Sequence, residues 1–288
     1  MAGFGGVAEY GITVRWNKNN LKFVRLQIER RSSFRMYGGI RFGGTLTIED
    51  ALAAGFDHIA HCAGAGRPTY IDMDHALARG VRMASDFLMA LQLTGAARES
   101  SIANLQLRLP AVVIGGGLTA IDTATEALAY YPVQVEKFLA RFETLAAERG
   151  EAAVRTAWTD EEREAGETFL EHARAIRAER EAAAAEGRDP DLLSLMDSWG
   201  GVTMAYRRSL EDAPSYRLNH EEVALALEEG IRIAPGLSPL RIEVDGRGSA
   251  RAIVMTDGEG NEHTLPARAV LVAAGTQPSD ELWQHLAD

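Results

Sequence analysis

The chain has 288 residues, 46% of them hydrophobic and 25% charged, with a formal net charge of −11 and one cysteine, Cys62. The acidic balance excludes a surface built for nucleic-acid phosphates, which needs a basic stripe, and the lone cysteine excludes an internal disulfide or a C-x-x-C redox or zinc motif. With no apolar run of the roughly 18 residues that cross a membrane and no secretory leader in MAGFGGVAEYGI, the expectation is a globular α/β protein of the reducing cytoplasm, with length for one large or two ordinary domains.

Met1 to Val7 is glycine-rich and opens into Ala8-Glu9-Tyr10-Gly11 without regular structure. Asn17 to Asn20 is placed to cap a helix that carries Leu21, Val24, Leu26 and Ile28. Phe34 to Phe42 reads as extended up to Gly43-Gly44, and Thr47 with Asp50 three residues later starts a short helix through Leu52. Phe56 to Ala63 reads as a strand running into Gly64-Ala65-Gly66-Arg67-Pro68. Gly80 to Leu93 spaces Val81, Phe87, Leu88 and Leu91 as an amphipathic helix ended by Thr94-Gly95. Residues 96–109 then form a connector of low periodicity, read as a passage between two domains.

Pro110 to Leu128, PAVVIGGGLTAIDTATEAL, organises the rest of the chain. Val112, Val113 and Ile114 suit a strand buried on both faces. Gly115, Gly117 and Ala120 fall at the positions of G-x-G-x-x-A, and a stretch of good helix propensity comes next. This order meets the needs of a dinucleotide: a first glycine for the turn, a second for close backbone approach to a diphosphate, and a small third residue for helix-on-strand packing. The diphosphate then sits at a helix N-terminus. A glycine-rich turn that serves packing alone is the alternative.

The next strand of a mononucleotide unit does not come at once. Tyr130 to Trp199 is rich in Ala, Glu and Arg, and Thr159 with Glu162 forms a capping box before a run that Gly187 stops. This segment is expected as a helical insertion, its charges either a solvated face or a docking surface. Gly201 to Tyr206 resumes the sheet and Arg207-Arg208 follow directly. Asn219 with Glu222 offers a further cap, Ile231 to Ala234 a short strand, and Leu240 to Asp245 with Ala250 to Thr256 a hairpin around Gly246-Arg247-Gly248. A last strand through Val270, Leu271 and Val272 ends at Ala273-Ala274-Gly275-Thr276.

Cofactor choice is read at the end of the second strand. An acidic residue there hydrogen-bonds a ribose 2′-hydroxyl, whereas arginine accommodates a 2′-phosphate, so Arg207 and Arg208 favour NADPH over NADH. Arginines that stand there only in solvent are the alternative. His58-x-x-His61-Cys62 is not read as a metal site, because residues three apart on a strand face opposite ways.

These motifs in this order resemble the flavin-dependent pyridine nucleotide oxidoreductases related to the small subunit of glutamate synthase. GGGLTAID is similar to that family's NADPH-domain fingerprint and MAYRRSLEDAPS to its strand-end YRR segment. HEEVALALEEGIRI and the hairpin come in the same order, FDHIAHCAGAGRP is similar to its Asp-led strand and A-x-G turn, and AEYGITVRW to the segment against the flavin. The resemblance covers nearly the whole chain outside residues 130–199. It implies a Rossmann-like FAD/NAD(P)-binding two-domain fold, with a truncated FAD-binding domain at 1–97, an NAD(P)H-binding domain at 98–275 and a return to the FAD domain at 276–288. Hydride would pass from NADPH to FAD and on to a further acceptor, with the remainder of the enzyme or an iron–sulfur or amidotransferase protein as partner. Carried over by residue, Gly115, Gly116, Gly117, Thr119 and Ala120 line the diphosphate, and Arg207 and Arg208 take the 2′-phosphate. Asp122 lies toward the nicotinamide, though an aspartate on a solvated helix face reads equally well. Gly275 and Thr276 return the chain to the flavin domain, and Tyr10, Gly11 and Gly64 lie on the flavin side. Two departures stand out. Leu118 replaces the acidic residue that usually comes after the glycines, and the flavin fingerprint would precede Tyr10, where few residues remain. The expectation is an internal piece of a longer flavoenzyme with an incomplete FAD site. The rival is a non-catalytic nucleotide-binding or partner-docking fragment.

Overall fold

A computed structural model describes residues 21–60, 62 and 66–278. In chain order its elements are α1 (Leu21–Glu29), α2 (Ile48–Ala53), β1 (Gly66–Pro68), β2 (Val81–Met83), α3 (Ala84–Leu93), β3 (Ala111–Ile114), α4 (Leu118–Arg149), α5 (Glu151–Thr156), α6 (Asp160–Glu186), α7 (Leu192–Ser198), β4 (Val202–Tyr206), α8 (Pro214–Glu228), β5 (Arg232–Pro235), β6 (Ser238–Val244), β7 (Ala250–Thr256), β8 (Glu262–Pro266), β9 (Ala269–Val272) and β10 (Thr276–Pro278). The described residues fall into two compact units, one holding those up to 67 together with 276–278, the other 68–275.

In the first unit Thr47 caps α2 as its spacing predicts: its hydroxyl accepts the Asp50 N–H at 3.1 Å and the Asp50 carboxylate accepts the Thr47 N–H at 3.0 Å. The strand expected from Phe56 is not there. Residues 56–60 and 62 are exposed and outside any ladder, because among the described residues no strand lies beside them to pair their backbone groups. The strand that does form is β1, paired with β10. Tyr10, Gly11, Asn17 to Asn20, His61 and Gly64 lie outside the described residues.

The second unit is built on a five-stranded parallel sheet in the order β2-β9-β3-β4-β5, with β6-β7-β8 as a separate antiparallel meander. Alternation along the strands sorts the core. Ala111 and Val113, Val202 and Met204, and Ala269 and Leu271 face α3, α4 and α8, whereas Val112, Ile114, Ala205, Val270 and Val272 face Ile242, Ile253 and Met255 of the meander. Both faces are covered, which is why the β3 sequence is apolar without a break. The segment expected as one helix from Gly80 divides. Val81–Met83 pairs in parallel with Val270–Val272, and the helix starts only at Ala84.

Residues 96–109 carry no regular element, and they run inside the second unit rather than between units. One stripe of α4 supplies their hydrogen bonds. Tyr130 Oη accepts the Leu105 N–H, Gln134 both accepts from the Leu107 N–H at 2.7 Å and donates to its carbonyl at 2.8 Å, Lys137 Nζ donates to Ala96 O and Ala103 O, and Arg141 donates to Ser101 O. Spacings of three and four residues put these side chains on one helix face.

The insertion is a continuation of α4 rather than a module that starts after it. Thirty-two residues at 1.5 Å each make α4 about 48 Å long, against about 13 Å for the four residues of β3, so α4 runs far beyond the sheet. The capping box at Thr159 and the left-handed Gly187 bound α6, as their residue types predict. Helix α6 packs on α4, with Arg180 on Glu136 and Arg177 on Glu143 outside and Tyr131, Val135, Leu139, Phe169, Leu170 and Ile176 buried in their shared core.

Candidate functional site

The carboxyl edge of the parallel sheet gathers the residues that the sequence singles out. At the end of β3 the Gly115 N–H donates to Ala205 O at 2.9 Å while the Ala273 N–H donates to Ile114 O at 2.8 Å, so the turn is held between the ends of β4 and β9. Gly115 has φ +154°, and a Cβ there would overlap the Ala273 carbonyl oxygen and lie 3.2 Å from the Ala120 Cβ. Ala120 is fully buried against it, so the first and third fingerprint positions are small for the reason that motif requires. At Gly116 a Cβ would meet the Tyr206 ring at 2.5–2.7 Å.

Gly117 differs from both. A Cβ there would meet nothing within 4 Å, and Gly117 caps α4 with no side-chain hydrogen bond. The space beside Gly117 is therefore open at the start of α4, the positive end of the helix dipole. Thr119 stands exposed on the first turn and Asp122 is half-buried on the next. Leu118 is 37% exposed.

Arg207 and Arg208 leave the end of β4 exposed, and neither pairs with a carboxylate among the described residues. The arm that carries them is anchored. Tyr206 O accepts the Leu237 N–H and Arg208 O accepts the Gly236 N–H, both at 3.0 Å, and beyond the arginines the Ser215 N–H in the first turn of α8 donates to Gly116 O at 2.9 Å. Helix α8 starts five residues earlier than the cap read at Asn219, on Pro214, and its backbone leaves helical geometry at Asn219. Gly275, with φ +93°, ends the segment after β9 and Thr276 opens β10. The structure thus brings Gly115, Gly116, Gly117, Thr119, Ala120, Arg207 and Arg208 to one edge.

Sequence reasoning did not single out Tyr206, Ser215 or Ala273. Their importance comes from register, since Ile114 stands opposite Ala205 and Val272 and the next residues of the three strands meet at the turn. No motif reports it. Among the described residues no cluster of His, Cys, Asp or Glu could hold a metal ion, and no helix is long and apolar enough to cross a membrane.

The fold is shared with solved structures. FprA, a Mycobacterium tuberculosis oxidoreductase whose structure is known in complex with NADPH, superposes with a TM-score of 0.50 at 15% identity over 96% of this chain and 62% of its own. The fold is that of the FAD/NAD(P)-binding oxidoreductases. In sequence, the chain is 36% identical over 98 residues to the glutamate synthase [NADPH] small chain of Escherichia coli (strain K12), covering 28% of this chain and 20% of that one, which bears out the resemblance over the part matched. It is 41% identical over 251 residues to an uncharacterized protein of Rickettsia prowazekii (strain Madrid E), covering 87% of this chain and 33% of that protein. The chain thus spans a third or less of the length of these relatives. No protein-family model matches it.

Proposed function

We propose that the second unit binds NADPH, as part of a longer flavin-dependent oxidoreductase. The observation that carries this reading is the contrast within one turn: Gly115 and Ala120 are pressed against protein, Gly117 faces open space at the start of α4, and at the neighbouring strand end stand two guanidinium groups that meet no carboxylate among the described residues. That is the arrangement for a diphosphate at Gly117 and a 2′-phosphate at Arg207 and Arg208. NADPH supplies a hydride when bound, and this chain's residues hold and orient it.

FAD is the acceptor this reading implies. Among the described residues the first unit contains no strand, glycine turn and helix in succession, so no flavin diphosphate cradle is formed by them. Flavin binding, the transfer of electrons to a further acceptor and any iron–sulfur or amidotransferase partner belong in this proposal to the longer protein. Equilibrium titration of NADPH and NADH onto the chain tests the reading. NADPH should bind on the order of tenfold or more tighter, the weight of charge-assisted hydrogen bonds to one phosphate, and the double variant Arg207→Ala, Arg208→Ala should remove the difference. Binding of neither nucleotide overturns the reading in favour of a docking fragment, and equal binding overturns the cofactor choice.

A further inference from the structure

The middle glycine of the turn has a neighbour that its neighbours in sequence lack. Gly115 abuts the chain after β9 and Gly117 abuts nothing, but Gly116 lies directly under the ring of Tyr206, the residue that immediately precedes Arg207. The same residue is held a second time, through its carbonyl, by the Ser215 N–H. Since the carbonyl and the N–H of one peptide unit point in opposite directions, a bond that draws the Gly116 carbonyl toward α8 turns the Gly117 N–H away from α8.

The arginine arm is pinned at both ends of a short span. Tyr206 O and Arg208 O take N–H groups from Leu237 and Gly236, and the Tyr206 ring fills the space that any side chain at position 116 would need. Only Arg207 and Arg208 themselves remain exposed. Backbone fixed at this spacing presents two guanidinium groups at a set distance from the diphosphate turn without help from a carboxylate among the described residues.

We infer that Tyr206 is a specificity-determining positioning residue, whose ring, seated on Gly116, sets the arginine arm against the diphosphate turn so that a nucleotide bearing a 2′-phosphate engages both at once. The inference rests on the reading that this edge binds NADPH. It gives the second glycine of the GGG run a purpose apart from phosphate approach, as the floor on which the aromatic ring rests. The hydroxyl of Tyr206 has no part in it.

The test is the ratio of NADPH to NADH affinity, measured on the full chain. Tyr206→Leu should lower NADPH affinity on the order of tenfold while NADH affinity moves less than about twofold, because the arm and not the diphosphate turn is loosened. Tyr206→Phe, which keeps the ring, should retain the wild-type ratio. Gly116→Ala should cost NADPH on the order of tenfold in the wild-type background and less than about twofold in a Tyr206→Ala background, a coupling that a double-mutant cycle isolates. If Gly116→Ala does not fold, the Leu and Phe variants decide alone. A wild type that prefers NADPH, with a Tyr206→Leu variant that weakens both nucleotides equally or neither, overturns this inference and leaves the nucleotide assignment standing. A wild type that binds neither nucleotide overturns both.

Discussion

His172 shows how a single side chain ties the helices of the insertion to one another. It is buried on α6, its Nδ1 lies 2.6 Å from the Tyr131 hydroxyl on α4, and its ring stacks on Trp199, just past α7, with centroids 3.8 Å apart and planes at 5°. Burial pushes the Tyr131 phenol well above its usual value, so it stays protonated and shares a hydrogen bond with the imidazole. Burial also holds the His172 pKa below its ordinary 6.5, against a smaller opposing pull from Glu171. As pH falls through 6.5 the unfolded chain takes up a proton that the folded chain resists, so stability is flat above that pH and declines below it until the folded pKa is also passed. Urea midpoints measured at about pH 7.5, 6 and 5 should fall along this series in the wild type and fall less in His172→Phe, which keeps an aromatic ring on Trp199. An unchanged slope in the variant would assign the acid sensitivity elsewhere. None of this was legible in the sequence, where His172 shows only a spacing that matches no ligand pattern, because its partners lie 41 residues upstream and 27 downstream. The fingerprint residues were legible because strand, turn and helix are adjacent in sequence and each has its own chemical reason.

Among elements, α4 has most to do. Its first turn lies at the edge proposed for the nucleotide, its middle secures residues 96–107, and its far end carries the insertion. Gln134 replaces a strand partner for Leu107, which is 3% exposed and whose N–H and carbonyl both bond the one side-chain amide. Removing the amide leaves two buried backbone groups unpaired, so Gln134→Leu is expected to cost about 2–4 kcal/mol and to lower Tm by roughly 5–15 °C for a unit of this size. A melt displaced by less than about 2 °C would mean that water or a local shift replaces the bonds. Elements with chemical punctuation at their ends were read closely from sequence, as with Thr47, Thr159 and Gly187. The strand expected at Phe56 was not, since an apolar run reports the wish to be buried and not the presence of a neighbour to pair with. The split at Ala84 was missed because Val81, Phe87, Leu88 and Leu91 satisfy a helical period whether or not the first of them is a strand residue.

At the scale of the second unit the chain separates two tasks onto opposite edges of one sheet. The glycine turn, Arg207 and Arg208 occupy the carboxyl edge. The acidic start of α6 docks at the amino edge, where Glu164 accepts from Arg108, Arg247 and Arg268 and Glu161 accepts from Arg79 and Ser249. Arg268 immediately precedes β9 and Arg79 comes two residues before β2, so these contacts fix the insertion beneath the strands rather than over the ligand edge. A search for periodicity finds the insertion but cannot say which edge it covers, since that depends on how far α4 runs past the sheet and on arginines far apart in the chain. The Glu164 carboxylate is held below its usual pKa, first by its hydrogen bond from Arg108 and then by the charges of Arg268 and Arg247. A carboxylate so lowered contributes stability that is present above its unfolded pKa of about 4.5 and lost as pH falls through the lower folded value. Glu164 is 43% exposed and solvent screens these pairs, so Glu164→Gln is expected to cost only about 0.5–2 kcal/mol near neutral pH. The cost should shrink as pH falls through that lower folded value, where the wild-type carboxylate itself takes up a proton. Because the two edges are separate, the variant should bind NADPH with unchanged affinity, and saturating NADPH at about 100 times its Kd should stabilise wild type and variant alike by about 2.7 kcal/mol. Thermal melts at about pH 7 and pH 3.5, with NADPH added at the higher pH, measure both effects. A Glu164→Gln variant that melts lower and also binds NADPH several-fold more weakly would show that the insertion reaches the nucleotide edge through the sheet, and the separation of tasks would fall.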